Sequence, residues 1–395
     1  MNEYYSFAFP INCAILTVSS KRRRSRCRVL QKILSQAIGA KNQEKTQSLI
    51  ATSFLISILL SISIIAVLEA GLKPLLLLLR TPAGTFSMAY EYLSIYLLGY
   101  LSVYLYCYFT AVLRSFGNAM FQMIAMLLCT VLNALLDPLF IHFFGFGGAA
   151  AATLLSQTIC LLIMLLYLFR KKLFHMRLTA FRSSYIRPII LKGIPSAFQQ
   201  SIPAFSTSFL TSLVNGYGIT ALAAYGIAGK LETLLFYPAM ALNMVLTTIV
   251  GQCIGGKRRD RARDYIRLSL LCGGLLLCIL TILIVLFSPQ LSALFLHSPS
   301  AARIVSQYFK IVAVGYVLNT FTNCFLGSLN GMGSPLKSML CMILYYMLIR
   351  MPLAWLLSAV GLGLNGIWSA VLISHIIAAA AAALITTHHF RRLSF

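Results

Sequence analysis

The chain has 395 residues, 59% of them hydrophobic and 10% charged, with a mean hydropathy of +0.85. No soluble domain of this length hides so much apolar surface, which excludes the soluble classes. The formal net charge of +24 invites a nucleic-acid reading, but the basic residues lie in loops between apolar runs, where they act as anchors at one membrane face.

Residues 1–32 form an atypical N-terminal segment. An apolar run over 7–19 is too short to cross a bilayer, and Lys21, Arg22, Arg23, Arg24, Arg26 and Arg28 follow it. Such a cluster does not sit at mid-bilayer, and in a signal peptide the charges would precede the apolar run. Beyond it, ten apolar segments are long enough to span: 48–70, 91–113, 119–144, 147–169, 193–216, 221–252, 265–287, 304–328, 336–359 and 363–388. Lys41, Lys45, Arg114, the stretch Arg170 to Lys192, the stretch Lys257 to Arg267, Lys337, Arg391 and Arg392 fall on one side of these spans. The opposite side carries little beyond Arg80 and Arg303. The positive-inside rule makes the basic loops and the C-terminus cytoplasmic. The cysteines are scattered, without a C-x-x-C pair, so neither a disulfide framework nor a metal site is indicated.

The chain repeats itself at an offset of 216 residues. SQAIGAK (Ser35 to Lys41) recurs as GQCIGGK (Gly251 to Lys257). Tyr92, Ile95, Gly99 and Tyr100 match Tyr308, Ile311, Gly315 and Tyr316, Phe109 and Gly117 match Phe325 and Gly333, and Gly147 matches Gly363. Two equivalent halves are implied, starting on the same membrane side and thus parallel. The expected organisation is a first lobe over 33–170, a basic cytoplasmic linker over 171–192 and a second lobe over 193–395. Used as a ruler, the offset places the counterpart of span 193–216 before residue 1 and that of 221–252 over 5–36, where the charges sit. The expected cause is a late start plus a shifted reading frame. A genuine basic arm on the membrane surface is the alternative.

These motifs resemble the multidrug and toxic compound extrusion (MATE) family from about residue 30 onwards. The marks are SQAIGAKNQEK, RSFGNAM (Arg114 to Met120), NALLDPLF (Asn133 to Phe140), GFGGAAAAT (Gly145 to Thr153), GIPSAFQQ (Gly193 to Gln200), AAYGIAGKLE (Ala223 to Glu232) and GQCIGGK, in order. The resemblance implies an all-α polytopic membrane protein of two parallel-repeat helical lobes around a central cleft, with about ten complete transmembrane helices of an expected twelve. It implies a secondary antiporter of the bacterial-type plasma (inner) membrane. Such a protein exports cationic or amphipathic drugs in exchange for Na⁺ or H⁺, with no other cofactor. The expected partners are a small organic cation and the lipid bilayer, with no nucleic acid, and the expected state is a monomer. The alternatives are a transport-incompetent remnant of such a transporter, or a lipid-linked oligosaccharide flippase of the same superfamily. A membrane enzyme is not expected, because the acids are too isolated to hold a catalytic metal.

Of eight acids, Asp137 and Glu232 lie well inside predicted spans, where acids point to ion or substrate paths. Asn133 and Asp137 share a helix face at i,i+4. Pro138 frees a backbone carbonyl, and Thr153 or Ser156 on the next helix supplies a further oxygen. Carboxylate, amide and hydroxyl oxygens suit a hard cation such as Na⁺. The resemblance implies that this Asn-x-x-x-Asp pair belongs to the cation site of the first lobe, beside an aspartate on the family's first helix, whose counterpart is expected to be missing here.

Glu232 is expected to attract a cationic substrate or to pair with a neighbour such as Gln200. Gln199 and Gln200 stand on the seventh helix, where the resemblance implies that some relatives carry an acid, and both are candidates for binding the substrate. Tyr92, Tyr96, Tyr100, Tyr104 and Tyr108 form a winding stripe, with cation-holding faces, and Tyr100 is a candidate for the cleft wall. Packing is the competing role, since Tyr92 and Tyr100 have twins. Arg350 is read as a helix anchor, His375 as hydrogen-bonded packing, and His388 and His389 as a solvated tail.

Overall fold

Long runs of Leu, Ile, Val and Ala become helices wherever a capping residue or a glycine bounds them, and among the described residues every regular element is helical. The computed structural model describes residues 30–78, 83–171, 180–293 and 298–392. The expected reading-frame shift falls on the first 29 residues and lies outside the described ones. The chain divides into two units, Met1–Ile38 with Asn42–Gly193, and Gly39–Lys41 with Ile194–Phe395.

The first unit begins with α1 (30–39), followed by α2 (Gln43–Ala70), α3 (Leu72–Leu78), α4 (Ala83–Leu98), α5 (Tyr100–Ser115) and α6 (Ala119–Lys171). Asn42 caps α2 by accepting from the Lys45 amide at 2.8 Å. The core packs Leu34, Leu49, Ile50, Phe109 and Val112 together. Tyr108 joins it by donating to the Ile50 carbonyl at 2.8 Å. The described end of the basic linker also belongs to this unit. A 3₁₀ turn (Ser183–Tyr185) lies beside α2, where Arg182 pairs with Glu44 and its amide donates to Thr52 at 3.1 Å.

The second unit holds most of α7 (Ile186–Asn215), then α8 (Ile219–Gly255), α9 (Arg259–Ala293), α10 (Pro299–Gly331), α11 (Pro335–Ile343), α12 (Met351–Leu357) and α13 (Gly363–Arg391). Ser298 caps α10 and Pro299 opens it. The centre of the unit is α10, which packs on α8, α9 and α13. Gly315 and Gly327 let α10 come this close. A Cβ at Gly315 would stand 2.7 Å from the His375 ring, and one at Gly327 2.5 Å from the Asn243 carbonyl oxygen. At the far end of α13, His389 is no solvated tail. Its ring meets Ser334 Oγ at 2.7 Å and Lys337 Nζ at 2.9 Å, while Arg259 donates to the Phe390 carbonyl at 2.6 Å.

Ten spans were expected. By length and apolarity seven helices among the described residues qualify, or eight if a bent pair counts as one. That pair is Phe86–Leu98 with Tyr100–Ser115, bent by 46°, in place of the single helix expected over 91–113. α7 is helical through Pro195 and Pro203, but Arg187, Lys192, Gln199, Gln200 and its serines and threonines make it too polar to qualify. Pro335–Arg391 counts once, although Gly361 and Gly363, at φ 94° and 56°, divide it into the two arms expected.

Backbone torsions repeat between the units. Lys41 and Lys257 are left-handed (φ 53° and 56°), as are Gly117 and Gly333 (φ 82° each), and both pairs keep the offset of 216. The helix-breaking glycines depart from it. Gly145 (φ 62°, ψ −145°) has its equal in Gly363 (φ 56°, ψ −139°), 218 residues on. Gly148 crowds the Phe140 carbonyl as Gly366 crowds that of Leu357, again 218 apart. The expected match of Gly147 with Gly363 is therefore corrected to Gly145 with Gly363. Two π-helical turns, Leu344–Arg350 and Ser358–Leu362, lie just upstream. A π-turn holds one residue more than an α-turn between bonded groups, so two of them absorb the two extra residues.

Candidate functional site

Gly145 reverses the chain within α6, so the arm Met120–Gly145 and the arm Gly147–Arg170 run back along each other. Asn133 on the first arm thereby meets Thr153 on the second. Asn133 Nδ2 donates to Asp137 Oδ1 at 3.1 Å and to Thr153 Oγ1 at 3.3 Å, and Thr153 Oγ1 donates to the Ala149 carbonyl at 3.0 Å. Asn133, Asp137 and Thr153 are all half-buried. Among the described residues no lysine, arginine or histidine lies within ion-pair distance of Asp137. Three of the four expected cation ligands therefore stand together. The fourth, Ser156, is buried and donates to the Thr153 carbonyl at 3.0 Å. Pro138 sits inside the same arm and has no N–H for the Ala134 carbonyl.

The second unit gathers its polar groups differently. Glu232 on α8 does not pair with Gln200. Its Oε1 accepts from Tyr308 at 2.6 Å and from Tyr316 at 2.8 Å, both on α10. Trp368 of α13 stands edge-on to Tyr308 at 4.7 Å and stacks on Tyr225 at 5.5 Å, closing the site with aromatic surface.

Arg350 is no simple helix anchor. Its Nε donates to Ser374 Oγ at 2.9 Å, and one terminal nitrogen donates to Tyr345 Oη at 2.7 Å and to His375 Nε2 at 3.2 Å. The guanidinium lies 4.7 Å from the rings of both Tyr345 and Tyr346. An arginine only donates. His375 Nε2 must then accept, which leaves the proton on Nδ1 to donate to Tyr345 Oη at 2.6 Å. That arrangement fixes a neutral histidine, consistent with the expected packing role.

Gln199 is buried and donates to Ser338 Oγ at 2.6 Å, while Gln200 is half-buried. Tyr100 is 1% exposed, and its ring lies 6.2 Å from that of Tyr104, tilted by 30°. It packs inside its unit. Sequence reasoning missed the tyrosine donors of Glu232 and the partners of Arg350. The repeat had marked Tyr308 and Tyr316 as twins of Tyr92 and Tyr100, but a twin relation does not reveal which acid two hydroxyls serve. A further acid, Glu69 at the end of α2, accepts from Ser94 at 2.5 Å.

The MatE family model matches residues 30–139 and 195–356. The probable multidrug resistance protein YoeA of Bacillus subtilis is 26% identical over 350 residues, covering 85% of this chain and 75% of that protein. YpnP of the same organism, also a probable multidrug resistance protein, is 29% identical over 77% of this chain and 69% of its own length. The FAD transporter of Shewanella oneidensis is 25% identical over 94% of this chain and 83% of its own. Among solved structures, an outward-facing multidrug resistance transporter of the MATE family superposes with a TM-score of 0.93 at 23% identity, over 98% of this chain and 88% of that one. A variant of the Vibrio cholerae transporter VcmN gives 0.93 at 22% identity, over 98% and 89%.

Proposed function

The chain belongs to the MatE family, and we propose that it is a secondary antiporter exporting cationic or amphipathic small molecules in exchange for Na⁺ or H⁺. The observation that carries this is the Asp137 carboxylate, placed inside an apolar span among neutral partners. A carboxylate there is costly unless something balances it. A proton does so directly. A hard cation does so by collecting the carboxylate, the Thr153 hydroxyl, the Ala134 carbonyl freed by Pro138 and the Asn133 amide oxygen, once that amide flips. Several relatives are named as multidrug resistance proteins, and these relatives are membrane transporters rather than enzymes. The protein would lie in a bacterial-type plasma membrane as a monomer, its basic loops and C-terminus in the cytoplasm.

Coupling follows from differential binding. An ion that prefers one orientation of the substrate path, and a substrate that prefers the other, drive a cycle without any covalent step. Moving an orientation from 1:99 to 99:1 takes about 10⁴-fold preference, roughly 5.5 kcal/mol, which a desolvated carboxylate and its ion can supply.

The test uses the full chain in proteoliposomes loaded with ethidium, under an imposed Na⁺ or H⁺ gradient. Ethidium should move against its own gradient, and Asp137→Asn should abolish the movement. If Asp137→Asn pumps as well as the parent under both gradients, the assignment of the ion to Asp137 fails. If the parent moves neither ethidium nor FAD under either gradient, the chain is a transport-incompetent remnant.

A further inference from the structure

The two units balance their intramembrane acids in opposite ways. Asp137 stands with an amide and a hydroxyl, both neutral, so its cluster carries one negative charge. In the second unit the tyrosines bonded to Glu232 and the fixed tautomer of His375 are also neutral, but Arg350 adds a positive charge. Glu232 and Arg350 form no direct ion pair; they are linked through side chains that lie between them. The structure between them is continuous. Glu232 holds Tyr316, the Tyr316 ring lies 6.4 Å from the His375 ring, and His375 accepts from Arg350. That cluster sums to zero.

We infer that Arg350 is the resident cation of the second unit, so that Glu232 recruits no exchangeable ion and coupling takes place at Asp137 alone, one ion per chain. The inference rests on the reading of Asp137 as the ion site.

Three further observations support it. Arg350 is 8% exposed, bonded to three side chains and set against two adjacent rings, so it is a fixed charge and not a mobile gate. A hard cation approaching Glu232 would have to displace two hydroxyl donors. The remaining acids of the second unit are Asp260 and Asp264, both in the exposed first turns of α9, so no second intramembrane carboxylate is present to complete an ion site. The repeat shows where the asymmetry entered. At offsets of 216 and 217 the counterparts of Arg350 are Ala134 and Asn133, so the first unit carries its cluster amide where the second carries its guanidinium.

The experiment counts ions on the purified full chain, with ²²Na⁺ in one arm and proton uptake, read by a pH indicator, in the other. The parent should bind one ion in whichever arm responds. Asp137→Asn should bind none, and Glu232→Gln should still bind one. Arg350→Gln exposes the charge of Glu232 and should bind two, returning to one in the double variant with Glu232→Gln. If Arg350→Gln does not fold, Arg350→Lys keeps the charge and should bind one. Two ions on the parent, loss of an ion in Glu232→Gln, or a folded Arg350→Gln with a single ion would overturn the inference. The two readings separate cleanly. An ion retained in Asp137→Asn removes the Asp137 assignment itself, whereas loss in both Asp137→Asn and Glu232→Gln leaves that assignment standing and removes only the resident-cation idea.

Discussion

Glu232 and Arg350 illustrate how little a single intramembrane charge means without its partners. Removing one member of such a pair leaves the other desolvated and unbalanced, which costs about 3–5 kcal/mol, while replacing both is far less harmful. Arg350→Met should therefore lower the stability of the detergent-solubilised protein by about 3 kcal/mol. Arg350→Met with Glu232→Gln should recover a large part of that loss, and a double-mutant cycle of thermal unfolding measures the difference. Strict additivity would show that the two groups do not depend on each other. Tyr308→Phe removes one of the two donors to Glu232 and should cost about 1 kcal/mol, read in the same unfolding assay. At this scale the sequence named the acids, because acids in apolar runs stand out. It did not name their partners, because Tyr308, Tyr345 and Ser374 become partners only when α8, the π-turns and α13 meet on α10. Asn133 and Asp137 were legible for the opposite reason: a contact at i,i+4 needs only one helix.

Breaks in the helices tell a similar story. Apolar length placed the spans, but it carried no account of how a span ends or bends. Gly99, between α4 and α5, turns one expected helix into two at 46°. Gly145 and Gly363 adopt torsions that a side chain reaches only with strain of about 1–3 kcal/mol. Gly145→Ala and Gly363→Ala should each lower the melting temperature of the purified protein. Gly193→Ala serves as the control, since nothing stands within 4 Å of a Cβ there. Equal melting in all three would mean that the glycine torsions are not required. Gly145 also holds Thr153 against Asn133, so its substitution should weaken ion binding as well as stability, whereas Gly363→Ala should affect stability alone. The polarity of α7 was visible residue by residue in Gln199 and Gln200, and the ten-span expectation passed over it because length was weighed ahead of these polar positions. The helix itself is present.

For the whole molecule, the distribution of charge makes the sharpest claim. α9 spans Arg259–Ala293, about 52 Å at 1.5 Å per residue, which is enough to separate Arg258 from Arg303 by a full bilayer. Both residues are exposed. In a background without native cysteines, Arg258→Cys should react with a membrane-impermeant maleimide in inside-out vesicles only, and Arg303→Cys in intact cells only. The reverse pattern would invert the orientation read from the basic loops. Fold class and twofold plan were legible because both follow from a pattern repeated over hundreds of residues. The register of the last helices was not, because an offset counted in residues ignores how many residues a turn holds.

The π-turns have a bearing on ancestry. Matching left-handed lysines and matching reversal glycines mark the two halves as copies of one ancestral segment. The two widened turns mark where the second half holds two residues more than the first. A residue added to a regular α-helix swings everything downstream by about 100°, and here that would have carried Ser374 and His375 away from Arg350. A turn that simply grows wider takes up the newcomer on the spot. The second copy was thus free to acquire a charge, and the company that charge requires, while its last helix kept the face inherited from the first.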